Sequence, residues 1–253
     1  VMGKSLNAYS APGIRGDHEC ATVEEMQARI SCGMYVLLRQ GSACHDLRPL
    51  LKGVTPENSR RCVLCSDDRQ PKTIFSEGHI DNHLRICVEE GLDPVSAIRM
   101  ATLNAAECWH LNDRGAIAPG LRADIVLLDD LKEFHVHKVW LQGKLCSIDN
   151  TYLPEVHRHD ISAVKGSVHL EDFSVDRLRL PLKSDYAHVI QLVPGGVVSE
   201  NRIARISRDE NGDFVRDPAV DIVKVAVVER HKCTGNVAVA LLGGYGIQHG
   251  AVA

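Results

Sequence analysis

The feature that most constrains the fold of this chain is an alternation, between residues 13 and 104, of short apolar runs with amphipathic segments. That alternation is typical of βα units arranged around a parallel sheet. In the first unit, "GIRGD" predicts a strand and "TVEEMQARISCG" predicts a helix, with Thr22 and Glu25 at capping-box spacing and Gly33 as a stop signal. "MYVLLRQ" and "RRCVLCSDD" predict two further strands. The sequence therefore predicts an α/β fold.

The remaining segments predict how the chain is divided. A short helix is expected around "DLRPLLKG", followed by helices at roughly 78–90 and 94–108, the latter opened by Asp93 and Pro94. After Trp109, glycine and proline turns separate β-rich runs, which predicts a small antiparallel layer. The predicted parts are an α/β part at 1–110, an antiparallel layer at 111–150, a polar linker at 151–185 and the start of an α+β domain at 186–253.

Composition and charge exclude some classes of partner. Apolar residues make up 44% of the chain and charged residues 25%, as in ordinary globular proteins. A net charge of -4 with interspersed signs provides no basic stripe for nucleic acid and no polybasic membrane patch. Nine cysteines, an odd number without regular spacing, favour free thiols in a reducing compartment, so a cytoplasmic location is expected. Because the first residue is not methionine and the last segment is apolar, we expect a fragment of a longer protein.

Polar side chains cluster where the predicted strands end. In a parallel α/β sheet, the active site lies at the carboxyl ends of the strands. The segments "GDHE", "RQGSACHD" and "CSDDR" bring to that edge His18, Glu19, Arg39, Ser42, His45, Asp67, Asp68 and Arg69. Imidazole and carboxylate are good ligands for a hydrolytic divalent metal, and a carboxylate beside the activated water can take its proton. Because side chains alternate along a strand, only one carboxylate of the Asp67–Asp68 pair is expected to serve the site.

Simpler interpretations remain open for these residues. His18 is also compatible with a solvated histidine in an acidic turn, and "SDDR" with a helix cap beside a salt bridge. Cys62 and Cys65 have CxxC spacing but no second pair, which favours core packing. His79 and His83 are four residues apart and could chelate a metal, but no HExxH-type glutamate lies between them, so His83 is predicted on a helix surface.

A family resemblance appears when the motifs are taken in order. "GKSLNAY", "APGIRGDHECATVEEM", "GMYVLLRQGSACHDL", "CVLCSDDR", "EGHID", "MATLNAA" and "GAIAPGLRADIVLLDDL" resemble the adenine deaminase family of the amidohydrolase superfamily. The resemblance runs from residue 3 to about 146, and "LLGGYGIQHGAVA" resembles the start of a motif in the carboxyl-terminal domain of that family. It implies part of a metal-dependent (β/α)8 barrel, then small β-sandwich strands and part of an α+β domain.

The resemblance also implies a reaction and a site. The reaction would be hydrolytic deamination of adenine to hypoxanthine and ammonia, a step of purine salvage. His18 matches a metal-binding histidine at the end of the sixth barrel strand, and Asp67 matches the aspartate of the eighth strand that binds metal and moves protons. Candidates for contacts with adenine are Glu19, Arg39, Ser42 and His79. The implied cofactor is a divalent metal, manganese or iron with zinc as another option, binuclear in the complete enzyme, and the implied assembly is a homo-oligomer.

The sequence also departs from the family pattern. The HxH motif of the first barrel strand and the bridging glutamate of a middle strand are absent from this sequence. The resemblance therefore implies the middle-to-late portion of the enzyme. This portion holds only part of a metal site, so the resemblance does not imply that it is active by itself. Two alternatives stay open: another amidohydrolase, such as a cyclic amidase or an N-acetyl sugar deacetylase, and a non-catalytic truncated homologue that acts as a binding partner.

Overall fold

The computed structural model describes residues 1–252 of the chain, and residue 253 lies outside the described residues. The chain divides into two compact units, one at Val1–Val156 and one from His157 onward. No helix among the described residues is long and apolar enough to cross a membrane.

The first unit opens with three parallel strands and seven helices. In chain order its elements are α1 (Gly3–Ser10), β1 (Gly16–Asp17), α2 (Val23–Ser31), β2 (Tyr35–Arg39), α3 (Leu47–Leu51), β3 (Cys62–Cys65), α4 (Pro71–Glu77), α5 (Ile80–Glu89), α6 (Pro94–Ala101) and α7 (Leu103–Cys108). The strands pair in parallel in the order β1-β2-β3, as the βα alternation predicts. Among residues 1–252 they form a three-stranded sheet and not a closed barrel, so the (β/α)8 barrel stays a prediction.

Local signals place the first of these helices as predicted. The Thr22 side chain accepts a hydrogen bond from the Glu25 backbone N–H at 3.2 Å, and Glu25 accepts one from the N–H of Ala21 at 2.9 Å. The first bond satisfies a donor that the first helical turn leaves unpaired, and the second ties the residue before the cap to the helix. Gly33 has a φ of +78°, a left-handed conformation that glycine adopts without a steric penalty. The boundaries of α2 therefore follow from the sequence.

The two faces of the parallel sheet have different environments. Val36, Leu38 and Leu64 face a buried core that α2, α3, α5 and α6 complete. Tyr35 and Val63 point to the other face and pack with Cys108 of α7. Because side chains alternate along a strand, Arg39 continues on the same face as Tyr35. The carboxyl end of β2 thus directs a charged side chain to the face opposite the main helical core.

Two helical predictions need correction. The segment before residue 78 contains α4, which the sequence analysis did not predict although Pro71 occupies its first turn, a position proline favours. The helix expected over 94–108 is interrupted at Thr102, where φ is -125° and ψ is -84°, and continues as α7. The Thr102 hydroxyl donates to the carbonyl of Ile98 at 2.7 Å, a side-chain bond that competes with regular helix geometry.

An antiparallel sheet completes the first unit, as the glycine and proline turns after Trp109 predict. Its strands are β4 (Ile125–Leu128), β5 (Val136–Leu141), β6 (Lys144–Ile148) and β7 (Thr151–Tyr152), paired in the order β4-β5-β6-β7. All three pairings are antiparallel. The sheet ends within the segment predicted as the start of a linker.

The second unit is built from strands. They are β8 (Tyr186–Leu192), β9 (Ser199–Arg205), β10 (Ser207–Arg208), β11 (Phe214–Val215), β12 (Ile222–Val228) and β13 (Val237–Gly243). The main sheet has the order β12-β13-β8-β9 and covers a small core that includes Val189, Ile222 and Leu241. Helical structure among its described residues is limited to two 3₁₀ segments, so the expected α+β character stays a prediction.

Candidate active site

The carboxyl ends of the three parallel strands bring four predicted site residues together. His18 and Glu19 follow β1, Arg39 ends β2, and Asp67 lies two residues beyond β3. Nη1 of Arg39 donates to Oε1 of Glu19 at 3.2 Å and to Oδ2 of Asp67 at 3.1 Å. Nε2 of His18 lies 3.3 Å from the same Glu19 oxygen. A chain of polar contacts therefore runs from His18 to Asp67 across the sheet edge.

Arg39 is the centre of this cluster and is almost inaccessible, with 1% of its side chain exposed. Its Nε and Nη2 both donate to Oδ2 of Asp46, at 2.9 and 2.7 Å. Burial lowers the pKa of Arg39, but the hydrogen bonds and negative charge of Asp46 outweigh it, so the net pKa lies above the usual range and the guanidinium stays charged. All of its nitrogens contact carboxylates, which favours a positioning role over the predicted contact with adenine.

The turn that carries His18 is fixed by a second buried ion pair. Asp17 accepts Nε–H of Arg29 at 2.6 Å and the backbone N–H of Glu19 at 2.8 Å. Burial raises the pKa of Asp17, but the bonds from Arg29 and Glu19 outweigh it and hold the net pKa below its usual range. Asp17 therefore acts on the backbone of this turn, whereas the side chain of His18 is 45% exposed.

The two adjacent aspartates have different environments. Asp68 accepts the backbone N–H groups of Ser42 and Ala43, at 3.2 and 2.8 Å, and so holds the loop after β2. A Cβ at Gly41 would lie 1.5 Å from Oδ1 of Asp68, so any larger residue there would displace the Asp68 carboxylate. Asp67 has a φ of +45°, uncommon for a residue other than glycine and often found at functional sites. The pair is separated by this turn after β3, and not by strand alternation, because β3 already ends at Cys65; Asp67 is turned toward Arg39.

Ser42 and His79 lie in segments adjoining this cluster. The hydroxyl of Ser42 donates to Oγ1 of Thr73 and accepts the N–H of Gln70, both at 2.8 Å, at the start of α4. The exposed His79 precedes α5, and its backbone N–H donates to Oδ1 of Asp81 at 2.7 Å. The Ser42 hydroxyl is thus used by α4, whereas the His79 ring remains accessible.

The prediction that His83 lies on a helix surface is wrong. Its side chain is fully buried, with Nδ1 2.7 Å from the carbonyl oxygen of His79 and Nε2 3.1 Å from that of Cys65. Burial lowers the pKa of His83 to about 4, although both hydrogen bonds act in the opposite direction. The apolar neighbours Leu84 and Cys87 on α5 were the sequence signal for this burial. His83 therefore links the end of β3 to the turn that carries His79.

A divalent metal can be tested against the donors present. Ligand atoms of Cys44, Asp67 and Asp68 lie within 4.8 Å of one another, but Asp68 is engaged by backbone N–H groups and burial raises the pKa of the Cys44 thiol. That trio does not suit a metal, because thiols bind as thiolates. His18 and Asp67 offer the donor types of hydrolytic sites, and Arg39 takes only Oδ2 of Asp67, which leaves Oδ1 for a cation. Their donor types suit part of a metal ligand set, and the assignment of His18 and Asp67 to that set stays a prediction.

Comparison with known proteins agrees with the order of motifs. The chain matches the amidohydrolase family over residues 22–146 and the adenine deaminase C-terminal domain over residues 195–253. Adenine deaminase 2 of Desulfotalea psychrophila is 62% identical over 253 residues, which are 100% of this chain and 44% of that protein. The adenine deaminase of Ligilactobacillus salivarius is 51% identical with the same coverage of both proteins. The chain thus spans less than half the length of the curated relatives it matches.

Solved structures give a weaker likeness. A β-aspartyl dipeptidase from Fervidobacterium islandicum AW-1 has a TM-score of 0.42 and 20% identity, covering 54% of this chain and 39% of that one. The sequence matches are stronger because they extend over both units and over the strand ends that carry His18 and Asp67. Over its whole length the chain is therefore similar to adenine deaminases, with a match to the amidohydrolase family in the first unit and to the adenine deaminase C-terminal domain in the second.

Proposed function

We propose that the protein takes part in the hydrolytic deamination of adenine to hypoxanthine and ammonia. The observation that carries the proposal is the identity of 62% over the whole chain with a protein named adenine deaminase 2. The geometry supports the same conclusion, because an imidazole and a partly exposed carboxylate follow the carboxyl ends of β1 and β3, the two parallel strands on either side of β2. In barrels and open α/β sheets alike, that edge is where catalytic groups are found.

In this proposal, His18 and Asp67 hold a divalent metal and Asp67 also moves a proton. When bound, the metal supplies positive charge that makes a water molecule acidic near neutral pH. Asp67 then accepts the proton of the attacking water and returns it to the departing amino group of adenine, which leaves as ammonia. Arg39 holds Oδ2 of Asp67 at 3.1 Å and so fixes the carboxylate for both tasks.

The substrate contacts are assigned from exposure and free hydrogen-bonding capacity. Glu19 is the strongest candidate, because Arg39 orients its carboxylate while half of the side chain remains exposed. His79 is the second, through an exposed ring beside the end of β3. Ser42 remains a predicted contact, although its hydroxyl is hydrogen-bonded at the start of α4. Arg39 also remains one, although three carboxylates accept its hydrogen bonds. Carboxylate and imidazole groups suit the ring nitrogens and amino group of a purine.

The wider setting of the reaction is part of the proposal. We infer a (β/α)8 barrel in which the three parallel strands are the sixth to eighth, with manganese or iron as the metal, zinc as another option, and a binuclear centre in the complete enzyme. Histidine and carboxylate ligands accept all three metals. A cytoplasmic homo-oligomer that serves purine salvage remains the expected context.

The direct test is ammonia release from adenine with added manganese or iron, on the protein expressed at its full natural length. We expect D67A to lower kcat by a factor of about 10²–10⁴, the usual contribution of a positioned acid–base group. D113N is the control, because it changes an exposed aspartate paired with Arg114. Activity of D67A within tenfold of the wild type would contradict the role of Asp67.

The same assay separates the alternatives. A different amidohydrolase would release no ammonia from adenine but would hydrolyse a cyclic amide or an N-acetyl sugar, and D67A would reduce that reaction instead. A non-catalytic homologue would act on none of these substrates at any metal concentration. Each outcome therefore assigns the protein to one class.

A further inference from the structure

Asp46 is a buried carboxylate that the proposed reaction does not use. It lies in the loop between β2 and α3, and 7% of its side chain is exposed. Its Oδ2 accepts two hydrogen bonds from Arg39, at 2.9 and 2.7 Å, which are the shortest contacts that this guanidinium makes. Hydrogen bonds between charged groups are stronger than neutral ones, and two of them fix the plane of a guanidinium.

The charges around Arg39 are unequal in number. One positive charge faces three carboxylates, those of Asp46, Glu19 and Asp67. Asp46 is buried with Arg39, whereas the side chains of Glu19 and Asp67 are 50% and 32% exposed and each receives one longer contact from Nη1. Asp46 therefore offsets the guanidinium charge, and the two accessible carboxylates retain negative charge for a cation.

We propose that Asp46 is a positioning residue that sets the affinity of the site for its divalent metal. It holds Arg39 so that Nη1 faces Glu19 and Asp67, and it neutralises a charge that would otherwise repel a cation bound to Asp67. This inference rests on the proposed function in one respect, the assignment of Asp67 as a metal ligand. Mutation of a group that hydrogen-bonds a metal ligand typically changes metal affinity by about 10–100-fold, and Asp46 acts on Asp67 through such a group, Arg39.

A second buried ion pair shows that burial alone does not give this role. Arg29 donates to Oδ2 of Asp17 at 2.6 Å, and its other hydrogen bonds go to the backbone carbonyls of Val1 and Glu25. Arg29 thus stabilises the backbone of α2 and the turn after β1. Arg39 instead donates from Nη1 to the carboxylates of Glu19 and Asp67. Removal of the Asp46 charge would therefore change the electrostatic potential where a cation would bind.

The test compares manganese binding to the metal-free protein at its full natural length, measured by electron paramagnetic resonance of free Mn²⁺. D46N keeps a carbonyl oxygen that accepts from Arg39 and removes only the charge. We expect D46N to weaken Mn²⁺ binding about 10–100-fold, and saturating Mn²⁺ to restore the wild-type kcat. E90Q is the control, because it also removes one carboxylate charge from an arginine ion pair, that of Glu90 with the exposed Arg48; it should leave binding unchanged.

A double variant distinguishes this role from a structural one. R39M/D46N removes both buried charges, so we expect the double variant to fold even if D46N does not. We also expect it to bind Mn²⁺ more tightly than D46N. Three results would each overturn the inference. They are a Mn²⁺ affinity of D46N within threefold of the wild type, weaker Mn²⁺ binding by the double variant than by D46N, and a wild-type protein that binds no divalent metal. These readouts need no substrate, so the absence of ammonia release from adenine would contradict the proposed function alone.

Discussion

Acid should destabilise the first unit through His83. The imidazole is fully buried, and burial lowers its pKa to about 4, with the positive charge of Arg69 acting in the same direction. In the unfolded chain a histidine has a pKa near the ordinary value of about 6.5. Because the folded pKa is the lower of the two, the unfolded state binds a proton first as pH falls. The stabilisation by neutral His83 is therefore complete above pH 6.5 and is lost progressively toward pH 4.

The size of the effect follows from the difference between the two pKa values. Each pKa unit corresponds to about 1.4 kcal/mol, so the total loss in the free energy of unfolding is about 3 kcal/mol, of which about 2 kcal/mol falls between pH 7 and pH 5. One structural feature opposes this shift. Both ring nitrogens face carbonyl oxygens, at 2.7 and 3.1 Å, and only the protonated ring could donate to both.

The assay is the free energy of unfolding in urea at pH 7, 6 and 5 for the wild type and for H83Q. Glutamine can still donate to the carbonyl of Cys65 but does not titrate, so the difference between the two curves isolates His83 from the other histidines. We expect H83Q to lose less stability than the wild type on acidification. H188Q, which replaces an exposed histidine of the second unit, is the control.

An NMR titration of the His83 ring provides an independent measurement. A pKa above 6.5 would refute the reasoning, since the two carbonyl oxygens would then dominate over burial. Parallel pH dependences for H83Q and the wild type would refute it as well.

Three further predictions concern stability and are measured by urea unfolding. T22A should lower the free energy of unfolding by about 1 kcal/mol, because it removes the side chain that caps α2. A decrease below about 0.3 kcal/mol would show that water replaces the cap. L50A should cost about 2–5 kcal/mol, because Leu50 is fully buried in the main core; an exposed leucine, changed in L153A, should have little effect. D17A should cost about 3–5 kcal/mol by leaving Arg29 buried without its carboxylate, and D17A/R29M should recover part of that loss.

Local signals in the sequence were sufficient for elements whose ends are set by nearby residues. The Thr22 cap, the Gly33 stop and the Asp93–Pro94 opening all fix helix boundaries through contacts within a few residues. The break at Thr102 was missed because a side-chain hydroxyl competes with the helix in a way that periodicity does not register. The helix α4 was missed because none of its residues is buried, which leaves no hydrophobic pattern to detect.

The sequence predicted which side chains meet at this edge of the sheet, but not which other side chains hold them there. Strand ends in a parallel sheet must share an edge, so the proximity of Glu19, Arg39 and Asp67 follows from the βα pattern. The burial of His83 and the pairing of Asp46 with Arg39 depend on which loop folds over which strand. Contacts of this kind join segments through the tertiary structure, and no local pattern of residue types specifies them.

The two buried arginines at this edge explain why some carboxylates remain accessible. Arg69 donates to the carbonyls of the loops around residues 41 and 78, and Asp68 accepts backbone N–H groups from the loop after β2. These contacts hold the loops without involving Asp67 or Glu19. Arg39, whose charge Asp46 neutralises, contacts both Glu19 and Asp67 and leaves the two side chains partly exposed. The carboxylates that these loop contacts leave accessible are therefore the ones that we propose to meet a cation and a purine.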